Sequence, residues 1–186
     1  MRMSCTYNPL WNSKSAFMRP GLALLFALLP LTAQAAVIGG PLLRDGIEIV
    51  PGLENGIQFD RAPVSLAPDS IFLTADVRAA ADNPHGFTGF IPYLSISFTL
   101  TKDDQPTYKK SGLLYPAASK SGPRYMGVAE MAGPGTYHLT YIVSPPSAHG
   151  MYRLTGKDNG VPDWWKPITA KWDFTYPNNA NNVSAK

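Results

Sequence analysis

The stretch Ile71-Phe-Leu-Thr-Ala-Asp-Val-Arg-Ala79 is followed by Asn83-Pro-His-Gly-Phe87 and then by Ile91-Pro-Tyr-Leu-Ser-Ile-Ser-Phe98. In the first arm Ile71, Leu73, Ala75 and Val77 alternate with Phe72, Thr74, Asp76 and Arg78. A strand turns successive side chains to opposite faces, so one face is apolar and the other mostly polar. The Asn-Pro-x-Gly between the arms fixes one φ and permits a positive one, which is turn chemistry. In the second arm Leu94, Ile96 and Phe98 alternate with Tyr93, Ser95 and Ser97. The stretch predicts strand, turn, strand: a hairpin-like core whose second face carries Phe72, Thr74 and Arg78.

Upstream, Gly46–Val50 and Gly56–Asp60 read as two short strands turned by Pro51-Gly52. Downstream, strands are expected at Tyr108–Pro116, Arg124–Met131, Thr136–Val143 and Ile168–Tyr176. Asp103 to Pro106, the small-residue loop 117–123, Gly133-Pro-Gly135 and Ser144-Pro-Pro146 separate them. No apolar 3.6-residue period persists for three turns, and Val77–Asp82 would support a single helical turn at most. The pattern predicts an all-β protein, an immunoglobulin-like antiparallel β-sandwich, as one domain over residues 36–176. The Asn-rich end, 177–186, is expected to be a disordered tail.

Residues 1–35 are read as a signal peptide. Arg19 flanks the apolar run Gly21–Leu31, which is followed by Thr32-Ala-Gln-Ala35. That run is too short for a spanning helix. Met18-Arg19-Pro20 would itself begin a compact signal, which makes residues 1–17 a candidate mis-assigned start. The expected location is the bacterial periplasm. Removing Arg2, Lys14 and Arg19 with the leader leaves 13 bases against 13 acids, so the formal charge of +3 belongs to the precursor. A generic electrostatic case for nucleic acid or anionic membrane therefore fails. Cys5 is the single cysteine and lies in the leader, so a mature chain has no disulfide, thiolate metal site or thiol nucleophile.

The chemistry on offer is sparse. His85 reads as a solvated turn residue and His138, pointing away from the Tyr137/Leu139/Tyr141 face, as exposed or at a sheet edge. Met126, Met131, His149 and Met151 are soft-ligand candidates for copper(I), although methionines near aromatic residues are more often gap-fillers. The nucleophile elbow, the zinc-protease helix motif and the phosphate-cradling glycine loop are all missing from the sequence. Asp103-Asp104 reads as a turn, and Lys157-Asp-Asn-Gly160 lacks the spaced acids of a calcium loop. A non-enzymatic binding or interaction module is the expected class.

Six ordered pieces carry a family resemblance. They are Ile71–Ala79 with Asn83-Pro-x-Gly-Phe87; Pro92-Tyr-Leu94; Gly112-x-Leu-x-Pro116; Gly122-Pro-x-Tyr125; Gly135-x-Tyr-x-Leu-Thr-Tyr141 with Ser144-Pro145; and Gly160-Val161 before Trp164. Together they resemble the periplasmic iron-transport accessory proteins, the Ig-like copper- and iron-binding partners of Ftr-type iron permeases. The resemblance implies a homodimeric β-sandwich, an inner-membrane iron permease as partner, and a copper or iron site built from histidines, a methionine and an acid. It also implies that the ligand positions are Phe72, Thr74, Arg78, Tyr115, Ala117, Arg124 and Leu154 here, so each is substituted. Phenylalanine and leucine have no lone pair to give, and arginine carries a fixed positive charge. The expected function is an accessory role in periplasmic iron or copper uptake with the metal site lost and no resident cofactor. The alternative is a non-metal interaction module, with Arg78, Arg124, Tyr115 and Tyr125 as contacts for an anionic group or a partner.

Overall fold

A computed structural model describes residues 36–60 and 66–177, all within the compact unit Thr32–Lys186. The signal-peptide reading of 1–35 and the tail reading of 178–186 lie outside the described residues. The described strands are β1 (Ala36–Val37), β2 (Leu42–Arg44), β3 (Ile47–Glu54), β4 (Ser70–Ala79), β5 (Ser95–Lys102), β6 (Gln105–Ser119), β7 (Gly122–Glu130), β8 (Gly135–Ser144) and β9 (Ile168–Tyr176). A 3-10 turn, Pro146–His149, precedes β9.

Every named pairing is antiparallel. In sheet A, β1 and β2 pair with β3, and the order continues β3–β4–β7–β6. Sheet B runs β6–β5–β8–β9. Strand β6 serves both: it pairs with β5 as far as Leu114, and with β7 from Tyr115 onward.

The two sheets close on the apolar sides expected from alternation. Ile47 and Ile49 of β3, Ile71, Leu73, Ala75 and Val77 of β4, and Tyr125 of β7 face Ile96, Phe98 and Leu100 of β5 and Tyr137, Leu139, Tyr141 and Val143 of β8. Each aliphatic side chain so buried contributes roughly 1.5–3 kcal/mol relative to exposure. The tyrosines also staple the core with their hydroxyls. Tyr125 donates to the Ile91 carbonyl at 2.9 Å and accepts from the Leu94 N–H at 3.0 Å. Tyr137 donates to Gly133 and accepts from Ala132 N–H. Tyr141 donates to the Thr74 carbonyl at 3.1 Å, joining sheet B to sheet A. Burial pushes all three phenols above their ordinary value.

Four local expectations are corrected. Ile71–Phe98 is no hairpin: β4 pairs with β3 and β7, whereas β5 pairs with β6 and β8. The arms occupy opposite sheets because their apolar faces must cover each other. Among the described residues, a bridge between Arg78 and Phe90 brings the returning chain back beside β4. Asn83 anchors the crossing instead of reversing a hairpin, its Nδ2 donating to Gly46 O at 2.8 Å and its Oδ1 accepting from His85 N–H at 3.0 Å.

Second, Pro51-Gly52 lies inside β3, and Gly56–Asp60 is not a strand. Proline supplies no ladder donor, but its carbonyl accepts from Ile38 N–H. Third, the loop expected at 117–123 shrinks to Lys120-Ser121 between β6 and β7. Fourth, His85 is buried, its ring 5.0 Å from that of Trp165 and 5.8 Å from that of Trp164. The turn is therefore an anchor for the 160–165 loop.

Candidate functional site

Because side chains alternate, the side of sheet A turned away from the core displays Phe72, Thr74, Asp76 and Arg78 from β4. Strand register aligns the neighbouring strands with them. Glu54, Gly52, Val50 and Glu48 of β3 stand opposite Phe72, Thr74, Asp76 and Arg78 in that order. On the other flank Val128 and Met126 of β7 stand opposite Phe72 and Thr74. Strand β6 extends the face, with Tyr115 opposite Met126 and Ala117 opposite Arg124.

This face is not open along its length. Phe72 and Thr74 are both buried although neither points into the core. Phe59 packs on Phe72 with ring centroids 5.3 Å apart, so the segment after β3 folds over the sheet. Gly52 leaves room for Thr74: a Cβ there would stand 2.6 Å from the Thr74 hydroxyl oxygen. Gln58, Phe59, Phe72, Tyr115, Ala117 and Met126 are among the residues lining a groove of about 1110 Å³ where β6 leaves β7.

A cluster of charges spans the middle of the face. The Arg124 guanidinium donates to the Glu54 carboxylate through Nη1 and to Ser121 Oγ at 3.2 Å through Nη2. Its Nε is 3.4 Å from Asp76 Oδ1. Those two atoms are buried and lack hydrogen-bond geometry, so that contact is charge against charge. The side chains are 12% exposed for Arg124, 19% for Glu54 and 28% for Asp76, which leaves the ion pairs poorly screened. One fixed cation thus faces two carboxylates. The Thr74–Gly52 row separates Arg124 from Glu54 in the register, and Gly52 has no side chain to obstruct it.

A family model for the Fe2+ transport protein family matches residues 32–178. The chain belongs to that family. Among similar proteins, a UPF0423 protein from Brucella abortus (strain 2308) is 37% identical over 151 residues, covering 77% of this chain and 82% of its own. The crystal structure of FetP from uropathogenic Escherichia coli strain F11, expressed in the periplasm of E. coli, superposes with a TM-score of 0.72 and 34% identity, covering 77% of this chain and 96% of FetP. Copper-reconstituted P19 from Campylobacter jejuni gives a TM-score of 0.72 and 30% identity, covering 77% of this chain and 97% of P19. The β-sandwich of this Fe2+ transport protein family member is therefore the fold of FetP and P19.

Of the seven positions singled out through the resemblance, Phe72, Thr74, Arg78, Tyr115, Ala117 and Arg124 share the one face of sheet A. Leu154 instead stands exposed on the loop between the 3-10 turn and β9, beside Arg153, which donates to Val161 O and pairs with Asp163. The donors left on the face are a thioether, a hydroxyl, a phenol and carboxylates, two of which Arg124 already holds. Among the described residues, no group of three or more His, Cys, Asp or Glu side chains is arranged to hold a metal ion. The soft-ligand candidates are dispersed: Met126 faces away from the core, Met131 lies within it, and His149 and Met151 sit at the 3-10 turn.

The four contact residues for an anion or partner divide evenly. Tyr115 is 63% exposed and Arg78 is also exposed. Tyr125 is fully buried with its hydroxyl engaged, so it offers nothing to a surface ligand; Arg124 is engaged with carboxylates. Sequence reading missed Glu54 and Asp76 as partners of Arg124. Asp76 was legible, since it shares a face with Thr74. Glu54 was not, because the Pro51-Gly52 turn expected before it destroyed the register of β3.

Proposed function

We propose that this protein is a non-enzymatic periplasmic accessory of iron or copper uptake, working beside an inner-membrane iron permease, whose inherited metal face has been closed. Family membership supports the transport role. The similar protein P19 was solved copper-reconstituted. The secretory reading of residues 1–35 supports the location, and no helix among the described residues is long and apolar enough to cross a membrane.

The closure rests on one observation, the seating of Arg124 between Glu54 and Asp76. A guanidinium is always charged and cannot yield its place by deprotonation. It satisfies the acids that would attract a cation and repels a divalent ion at short range. Phe72 and Ala117 add no donor. The groove beside them is lined by Phe59, Phe72 and Met126, surfaces that suit contact with another molecule better than coordination of an ion.

A competition titration tests the closure. The purified full chain, challenged with Cu(II) or Fe(II) against a chromophoric chelator, is expected to take up neither ion at micromolar concentrations. Stoichiometric uptake there overturns the closed-face reading. The transport role is tested separately, by deleting the gene: iron-limited growth should suffer and recover on complementation with the wild-type chain.

A further inference from the structure

Away from the sheet A face, on the solvent side of sheet B, His138 stands between two carboxylates. Its Nδ1 is 2.6 Å from Asp173 Oδ1 and its Nε2 is 2.5 Å from Asp103 Oδ1. Each acid comes from a different element. Asp173 lies directly opposite His138 on β9. Asp103 belongs to the tight turn joining β5 to β6, and its N–H donates to Thr136 O on β8 at 3.1 Å, which holds its carboxylate beside the ring.

Both ring nitrogens can serve carboxylates together only if both carry protons. A neutral imidazole has one N–H; its other nitrogen would turn a lone pair toward a carboxylate. The two contacts also leave the ring from different nitrogens, so the three side chains do not converge on one point as metal ligands would. We propose that His138 is a proton-operated clasp: as imidazolium it fastens β9 and the β5–β6 turn to β8, and on losing a proton it lets one of them go.

The surroundings favour the charged form. Thr101, opposite His138 on β5, is uncharged, and Thr136 and Thr140 flank it on β8. Lys102 turns inward to Asp104 and Ala132 O. The cations on this face stand further off: Lys109 opposite Thr101 on β6, and Lys171 two residues before Asp173 on β9, opposite Thr140. Hydrogen bonding to Asp173, then to Asp103, raises the His138 pKa against a smaller opposing effect of burial. With the folded value above the unfolded one, the clasp contributes fully below about pH 6.5 and is lost as pH rises through the folded value. What it holds matters, because β9 ends sheet B and carries Trp172 and Phe174, which pack on Tyr141 and Tyr137.

The test uses nitrogen NMR of the histidine rings, with amide exchange of β9, on the full chain across roughly pH 5.5 to 9. His138 should hold both ring protons above the pH at which a free histidine loses one. Asp173→Asn should weaken its proton affinity about tenfold, equivalent to one pKa unit. Protection of the β9 amides, corrected for intrinsic exchange, should fall several-fold as His138 titrates, and His138→Gln should abolish that pH dependence. An unchanged His138 titration in both Asp103→Asn and Asp173→Asn overturns the clasp, as does pH-dependent β9 protection that survives in His138→Gln. Should His138→Gln not fold, the two Asp variants decide the matter.

Discussion

The Arg124 guanidinium on β7 is held by the carboxylate of Glu54 on β3, across the intervening strand β4. Three strands of sheet A are thereby tied on the side facing away from the core, and Asp76 of β4 completes the contact. Removing one partner of a partly buried ion pair costs more than never having had the pair, because the remaining charge stays desolvated.

Arg124→Met should therefore destabilise the protein by about 2–4 kcal/mol, most of it the cost of uncompensated acids. Adding Glu54→Gln and Asp76→Asn to that variant should recover much of the loss. Urea unfolding of the three proteins, wild type included, checks this. A triple variant less stable than Arg124→Met alone would sink the account.

Thr74 lies in the space that Gly52 leaves empty. Gly52→Ala should destabilise by roughly 1–3 kcal/mol through overpacking, and Thr74→Ala should relieve part of the strain when combined with it. A thermal-melt double-mutant cycle measures the coupling, and a coupling of zero would show that the close approach has no energetic weight.

Tyr125 supplies both a donor to Ile91 O and an acceptor for Leu94 N–H. Tyr125→Phe strands both groups in a buried turn, and a loss of about 1–3 kcal/mol is expected. Amide exchange should localise the effect to Leu94. Global exchange unchanged at that position would refute the assignment.

Alkaline unfolding follows from the phenols. Tyr125, Tyr137 and Tyr141 are raised by burial, and Tyr108 is pushed up to about 12 by burial and by the neighbouring Tyr137 and Glu130. In the unfolded chain a tyrosine ionises near pH 10, so above that the native state binds more protons than the unfolded state. Stability should hold below about pH 10 and decline as pH rises toward the folded values. Phenolate absorbance should lag in the native protein and appear together with unfolding.

His85 Nδ1 and Trp165 Nε1 are buried in one aromatic cluster without hydrogen-bond partners. His85→Leu should consequently be nearly neutral, while His85→Ala should cost about 2 kcal/mol through the cavity it opens beneath the indoles. Tryptophan fluorescence followed through denaturation separates the two outcomes.

Much of the sandwich was legible because alternation is a local property. The inward residues of β4, β8 and β9 could be named from their spacing alone; the core contains them except Trp172 and Tyr176, which pack against it partly buried. Pairing was not legible. Whether Ile71–Ala79 joins Ser95–Lys102 in a hairpin depends on where each apolar face finds cover, and that cover comes from strands distant in the chain. His85 was misread for the same reason: Asn-Pro-x-Gly specifies a turn, while the indoles that bury it lie about eighty residues away. The candidate face was found through resemblance, residue by residue. The pairing of Arg124 with Glu54 across that face was hidden, since an ion pair seventy residues apart leaves no periodic trace.

Strand β4 cannot acquire its second neighbour until β7 exists, and β7 begins more than forty residues after β4 ends. Sheet A is therefore completed late in synthesis, by contacts of high sequence separation that form slowly. A chain emerging amino-terminus first would spend its early life with β3 and β4 paired but their apolar side uncovered. Such a chain commits to its final shape only after β7, β8 and β9 have emerged.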